Sequence, residues 1–148
     1  MENTSFYYSI FTTEPGFAPM LARIISGIII LPYGLQKLGF LGGVGIKATL
    51  EDFRKRRLPV FIAWLVIISQ ALGSLALIIG FCSRLAAVGA MIIFTGALIV
   101  HAPDGWMMNW YGKKKGEGIE YFVMLLALLL IVVIYGSGSW SIDIMLNW

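Results

Sequence analysis

The sequence predicts an all-α integral membrane protein, a four-transmembrane-helix bundle with two long loops on one face. Of its 148 residues, 59% are hydrophobic and only 13% are charged, whereas an average soluble chain carries about 25% charged residues. A globule of this size cannot hide so much apolar surface, so lipid must cover it. The apolar runs are continuous rather than alternating, which favours helices over a closed β-barrel.

Four apolar segments are candidates for spans, each of which needs about 20 mostly apolar residues. They cover roughly residues 17–37, 58–81, 84–101 and 119–135 of a single domain, 1–148. The loop between the first two contains "GIKATLEDFRKR", a pattern that predicts a short amphipathic helix on the membrane surface. The second and third spans are joined only by "GFCSR", which predicts a tight hairpin.

The basic residues predict the orientation of the chain. Nine of the eleven lysines and arginines fall in or beside the loops that follow the first and third spans, and only Arg23 and Arg84 lie at the other end. The positive-inside rule therefore places both loops in the cytoplasm and both termini outside. The N-terminus, "MENTSFYYSIFTTEPGF", lacks the positive region of a cleaved signal peptide. The small net charge of +3 argues against a nucleic-acid partner.

Small residues at helical spacing predict where helices approach each other closely, because close backbone packing favours association in lipid. They are Ser69, Gly73, Ala76 and Gly80 on the second span, and Gly89 and Gly96 on the third.

The segment "YGSGSWSID" follows the last span. Its Asp143 is the only acidic residue beyond that span. We expect Asp143 to pair with Arg23 or Arg84, the two cations predicted on the same face.

Polar side chains near one end of the spans are the candidate ligand site, because ionisable groups at membrane depth are costly. Tyr33, Gln36 and Lys37 share a face of the first span, and we expect them to converge with residues of the third and fourth spans. The other candidates are His101, which ends the third span, Glu120, which begins the fourth, Asp104, Trp106 and Asn109 as a lid, and Gln70, which lies deeper and should face other helices.

Histidine beside a carboxylate handles protons or binds a polar head such as a quinone carbonyl. The alternative is that His101 and Glu120 pair and simply cap two helix ends. One histidine with scattered carboxylates is a poor metal pattern, so no metal is expected. The single cysteine, Cys82, excludes an internal disulfide and an iron–sulfur site held by this chain alone.

The chain resembles the DoxX family of small bacterial membrane proteins. The resemblance rests on "ARIISGIIILPYGLQKLG", "ALGSLALIIGFCSRLAA", "VHAPDGWMMNWYGKKKGEGIEYFVMLLALLL" and "GSGSWSID", and it implies a four-helix protein of the bacterial inner membrane. Family members often carry histidine at the position of Tyr33 and usually glutamate at the position of Gln70. Both positions are neutral here.

Three functions remain open at this point. The resemblance implies a membrane subunit of a redox-linked complex, related to thiosulfate:quinone oxidoreductases, in which quinone is the ligand and this chain acts as an enzyme only through its complex. A second function is a non-catalytic subunit that anchors other membrane or redox proteins. A third is a small-molecule transporter, which would require a homo-oligomer because four helices are too few to enclose a path.

Overall fold

The computed structural model describes residues 15–112 and 116–146, and every regular element in these ranges is a helix. Three helices, α1, α3 and α4, are long and apolar enough to cross a membrane, and α5 is a shorter apolar helix. The boundaries of α1, α3, α4 and α5 lie within two residues of the four spans predicted from the sequence. The bounds are α1 Phe17–Leu38, α2 Gly45–Lys55, α3 Val60–Ile79, α4 Ser83–His101, α5 Glu120–Tyr135 and α6 Ile142–Met145.

The four apolar helices pack side by side. α1 contacts α3 and α5, and α4 contacts α5. Their buried side chains form one core, to which α1 gives Ile30, α3 gives Leu77, α4 gives Phe94 and α5 gives Leu129. Large apolar side chains also cover the outward faces, as expected where lipid replaces water.

Three spans are therefore supported by length and composition, whereas the four-transmembrane-helix bundle stays a prediction. The reason is the length of α5. Its 16 residues extend about 24 Å at about 1.5 Å per residue, less than the roughly 30 Å of a typical hydrocarbon core.

Glycines of α1 set the close contact between α1 and α3. A Cβ atom on Gly34 would lie 2.6 Å from the Gln70 carbonyl oxygen, and one on Gly27 would lie 2.8 Å from that of Ser74. The seam expected on α3 itself is looser, because a Cβ on Gly73 would meet only the Ser69 hydroxyl, at 3.6 Å. On α4, a Cβ on Gly96 would meet nothing within 4 Å.

α3 contains one turn of π-helix, Ser69–Gly73, between α-helical halves Val60–Ile68 and Ser74–Ile79. A π turn inserts one extra residue into the helix and is frequent at functional sites. Here it lies directly against Gly34 of α1. The irregular turn thus occurs where the two backbones are closest.

The predicted short connection and the predicted amphipathic helix are both present. α3 ends at Gly80, whose φ of +76° is the left-handed C-cap conformation, and α4 begins at Ser83. The amphipathic helix is α2. Its Ile46, Leu50 and Phe53 are half-buried and its Thr49 is buried, whereas its charged side chains are exposed.

Candidate functional site

The C-termini of α1 and α4 and the N-terminus of α5 lie at the end of the molecule that carries the loops 39–59 and 102–119. We call it the basic end. Most sequence-predicted site residues are located here, but the structure divides them between two places. The loop 102–119 also contains Lys113, Lys114 and Lys115, which lie outside the described residues.

His101 is held from two sides. A 3₁₀ turn, Ala102–Asp104, follows it directly and brings the Asp104 carboxylate 3.0 Å from the His101 Nδ1. One face of the imidazole stacks on Phe122 of α5, with ring centroids 5.3 Å apart and planes inclined by 17°. The ring is thereby oriented, while 38% of the side chain stays exposed. Nε2 is the ring nitrogen left for another partner.

Further aromatic contacts extend from His101 to α1. Phe122 meets Tyr121 edge to face at 5.3 Å, and Tyr121 meets Tyr33 at 6.1 Å. His101, Phe122, Tyr121 and Tyr33 therefore form one continuous series of ring contacts across α4, α5 and α1, which we call the aromatic row. Two of its members, His101 and Tyr33, were predicted from the sequence.

The start of α5 is fixed to the loop that precedes it. The Glu120 N–H donates to the Trp106 carbonyl at 3.1 Å, and the Ile119 N–H donates to that of Gly105 at 3.1 Å. The Trp106 side chain remains 57% exposed, and Asn109 is half-buried. Among the described residues His101 pairs with Asp104 and not with Glu120, so the cap by a His101–Glu120 pair, left open by the sequence, does not form there.

Gln36 and Lys37 do not join the aromatic row. They line a separate groove with the loop before α2 and with α2 itself. This groove, which we call the Lys37 groove, has a volume of about 570 Å³.

Gln70 lies in the π turn of α3 and is only 7% exposed. Its Oε1 has no hydrogen-bond partner among the described residues. Because the Gln70 backbone touches Gly34, Gln70 and Tyr33 lie on either side of the same α1–α3 contact. The two positions at which the resemblance implied ionisable residues are therefore neighbours in the fold.

Arg23 organises the opposite end. Its side chain is completely buried and all five guanidinium donors face carbonyl oxygens. Nε donates to Ser137 at 2.8 Å, Nη1 to Leu77 and Ile78, each at 2.7 Å, and Nη2 to Trp140 at 3.0 Å and, at the 3.5 Å limit, to Ser139. One arginine thus joins α1, the end of α3 and the segment after α5.

Asp143, which was expected from the sequence to pair with Arg23 or Arg84, caps the start of a helix with its carboxylate. Its carboxylate oxygens accept from the backbone N–H groups of Cys82, at 2.6 Å, and Ser83, at 2.9 Å, which are the unpaired donors at the start of α4. Asp143 still attracts Arg23 and Arg84 through space. The Arg84 Nη2 donates to the Ile134 carbonyl at 3.3 Å.

Gly80 lies at the same end of the molecule as Arg23 and Asp143. A Cβ on it would collide with Ser141 and lie 2.9 Å from the Arg23 Nη1, so its importance comes from this contact and from its positive φ. The predicted structural residues Arg23, Asp143 and Gly80 meet here. Gly73, in the π turn, does not.

Sequence reasoning missed Phe122 and Tyr121. Both lie in the run "EYFVMLLALLL". In such a run the sequence does not distinguish an aromatic site residue from one that faces lipid or the core. Only their position directly after Glu120 indicated that they lie at the basic end. Among the described residues, no group of three or more His, Cys, Asp or Glu side chains is gathered for a metal ion.

These features define a helical membrane protein with an oriented histidine at one end. At the other end a buried arginine binds the segment that follows α5. The chain matches the model of the DoxX family over residues 18–102, more than half of its length, and it belongs to that family.

A protein of Bacillus subtilis (strain 168), named "Putative oxidoreductase CatD", is 29% identical to the chain over 80 residues. The aligned part is 54% of this chain and 56% of that protein, so the similarity spans about half of each. No solved structure matches the chain.

Proposed function

We propose that this protein is a membrane subunit of a redox-linked complex of the bacterial inner membrane and that the aromatic row binds the head of a quinone. The observation that carries the proposal is the unbroken series of ring contacts from His101 to Tyr33. Membership of the DoxX family and the similarity to a protein named as an oxidoreductase support the redox context.

The residues of the row fit a quinone head. Planar aromatic side chains offer stacking surfaces, and the His101 Nε2 is the polar atom that would hold a carbonyl oxygen. Asp104, 3.0 Å from Nδ1, fixes the orientation of the ring. A bound quinone would supply two-electron redox chemistry, whereas this chain would bind, orient and exchange protons at His101. The electrons would come from a partner subunit of the complex.

The test is a binding titration of the purified protein with a short-chain ubiquinone or menaquinone analogue, followed by quenching of tryptophan fluorescence. We expect His101→Ala to raise Kd by about tenfold, the effect of losing one hydrogen bond to a charged or oriented group. Tyr135→Leu is the matched control, because it removes an exposed aromatic residue from the other end of α5. Equal affinities for the parent and His101→Ala would refute the assignment of the site.

The accessory function keeps one specific observation in its favour. Trp106, Trp110 and Tyr111 are 57%, 77% and 88% exposed at the basic end, and exposed tryptophan and tyrosine are typical anchors of protein contacts. We therefore propose that a partner protein docks on this loop. Replacing Trp110 and Tyr111 together with serine should release the partner in mild detergent while quinone binding is retained.

A further inference from the structure

The Lys37 groove contains two opposite charges that do not neutralise each other. Lys37 stands in the last turn of α1, and Asp52 lines the groove from α2. Within the described ranges Lys37 takes part in no ion pair. The Asp52 Oδ2 accepts from the Arg56 Nε at 2.9 Å, which leaves the second carboxylate oxygen available. A ligand carrying both a negative and a positive group would satisfy the two side chains together.

The walls of the groove are built by close backbone contacts. The loop before α2 lies so near the end of α1 that a Cβ on Gly43 would collide with Gln36. Thr49, on the groove side of α2, is 5% exposed, and its hydroxyl bonds to the Gly45 carbonyl at 2.9 Å. The groove is therefore formed by ordered elements rather than by loosely placed side chains.

The groove lies at the end of a candidate membrane span, where a lipid headgroup is expected. α1 is the span that ends at Leu38, so Lys37 marks its boundary with water. α2 is amphipathic, and such helices lie in the plane of the interface. Beside the groove, Leu41 and Val44 are 67% and 73% exposed, which gives an acyl chain apolar surface to follow. The occupant must therefore combine a zwitterionic head with an apolar tail.

We propose that the Lys37 groove is a binding site for an aminophospholipid of the phosphatidylethanolamine type. The Lys37 ammonium binds the phosphate, and the Asp52 carboxylate binds the amino group of the head. This site is separate from the aromatic row and does not depend on whether that row binds quinone.

The experiment is a titration of the purified, delipidated protein with dioleoyl phosphatidylethanolamine and with dioleoyl phosphatidylglycerol, read by native mass spectrometry. The two lipids have the same tails, but only the first carries an amino group. We expect the parent to prefer phosphatidylethanolamine by about tenfold, the effect of one charge-assisted hydrogen bond.

Two variants with matched controls assign the charges. Asp52→Asn should abolish the preference for phosphatidylethanolamine, and Lys37→Gln should weaken the binding of both lipids by about tenfold. Glu51→Gln and Lys47→Gln are the controls, because both remove an exposed charge of α2 that does not line the groove.

Equal binding of both lipids to the parent protein overturns the proposal without recourse to any variant. A Lys37→Gln protein that elutes as a folded species and binds as tightly as Lys47→Gln overturns it as well.

Discussion

At the scale of single residues, Arg23 shows how a charge can be buried at the end of a membrane helix. Burying an unpaired cation costs several kcal/mol. Here the cost is offset by carbonyl groups that the ends of α3 and the segment after α5 leave without helical partners. The planar guanidinium reaches five such oxygens at once, and Asp143 adds attraction through space. Arg23 is therefore a structural centre of this end.

Replacing Arg23 by lysine should destabilise the protein although the charge is kept. An ammonium has three donors on one nitrogen and cannot cover five separated carbonyls. At least two hydrogen bonds are lost, at roughly 1 kcal/mol each. Thermal unfolding in detergent should show a clearly lower Tm than for Arg54→Lys, which makes the same change at an exposed position. If the two variants melt together, Arg23 does not organise this end.

The sequence predicted that Asp143 pairs with Arg23 or Arg84, which lie at the same end of the fold, but it did not predict the backbone bonds that hold Asp143 and Arg23. Pairing by opposite charge was the simplest rule, and it overlooked the backbone. Asp143 is placed by the N–H groups at the start of α4 and Arg23 by carbonyls. Unpaired backbone groups of this kind exist at every helix end, and no residue type identifies them. Which of them Arg23 and Asp143 bind therefore depends on the tertiary structure.

At the scale of elements, α1 and the π turn of α3 are in close backbone contact. Gly34 brings the α1 backbone against Gln70 and Ala71, where the extra residue of the π turn lies. Backbone atoms cannot move aside as a flexible side chain can. The local geometry of α3 therefore depends on the absence of a side chain at position 34.

Gly34→Ala should destabilise the protein by about 1–3 kcal/mol, the usual cost of overpacking. The matched control is Gly96→Ala on α4, where a Cβ meets nothing within 4 Å. There the gain in helix propensity, up to about 1 kcal/mol, should leave stability unchanged or raised. The measurement is the Tm of each variant in the same detergent. A Gly34→Ala protein that melts at or above the parent would mean that this contact is not tight.

Helix positions were predictable because each is encoded locally by a continuous apolar run. The π turn was not, since "IISQALGSL" reads as uninterrupted helix and the irregularity arises against α1. The tight contacts of Gly27 and Gly34 were not predicted, because glycine spacing alone does not reveal which face meets a neighbour. Gly27 and Gly34 have the same seven-residue spacing as the pair on α4.

At the scale of the whole molecule, the predicted polar cluster separates into the aromatic row and the Lys37 groove. The sequence correctly placed these residues near the same helix ends. It did not distinguish their faces, because the face depends on how α1 is rotated against α2 and α5. One end thus offers an aromatic surface with an oriented histidine and, apart from it, a groove with two opposite charges.

The single cysteine provides a direct test of the predicted orientation. Cys82 lies between α3 and α4, at the Arg23 end, and is half-buried. If the basic end is cytoplasmic, a membrane-impermeant maleimide should label Cys82 in intact protoplasts. A Lys47→Cys variant in a Cys82→Ser background should be labelled only after lysis. The reverse pattern would mean that the chain is inserted with its basic loops outside.

The measurement that tests the account most directly is native mass spectrometry of the protein extracted gently from its own membrane, with identification of bound quinone and partner chains. The account predicts a complex with a redox partner that carries quinone, and loss of that quinone in the His101→Ala protein. A complex that holds no quinone in any preparation from native membranes would contradict the assignment of the aromatic row as a quinone site.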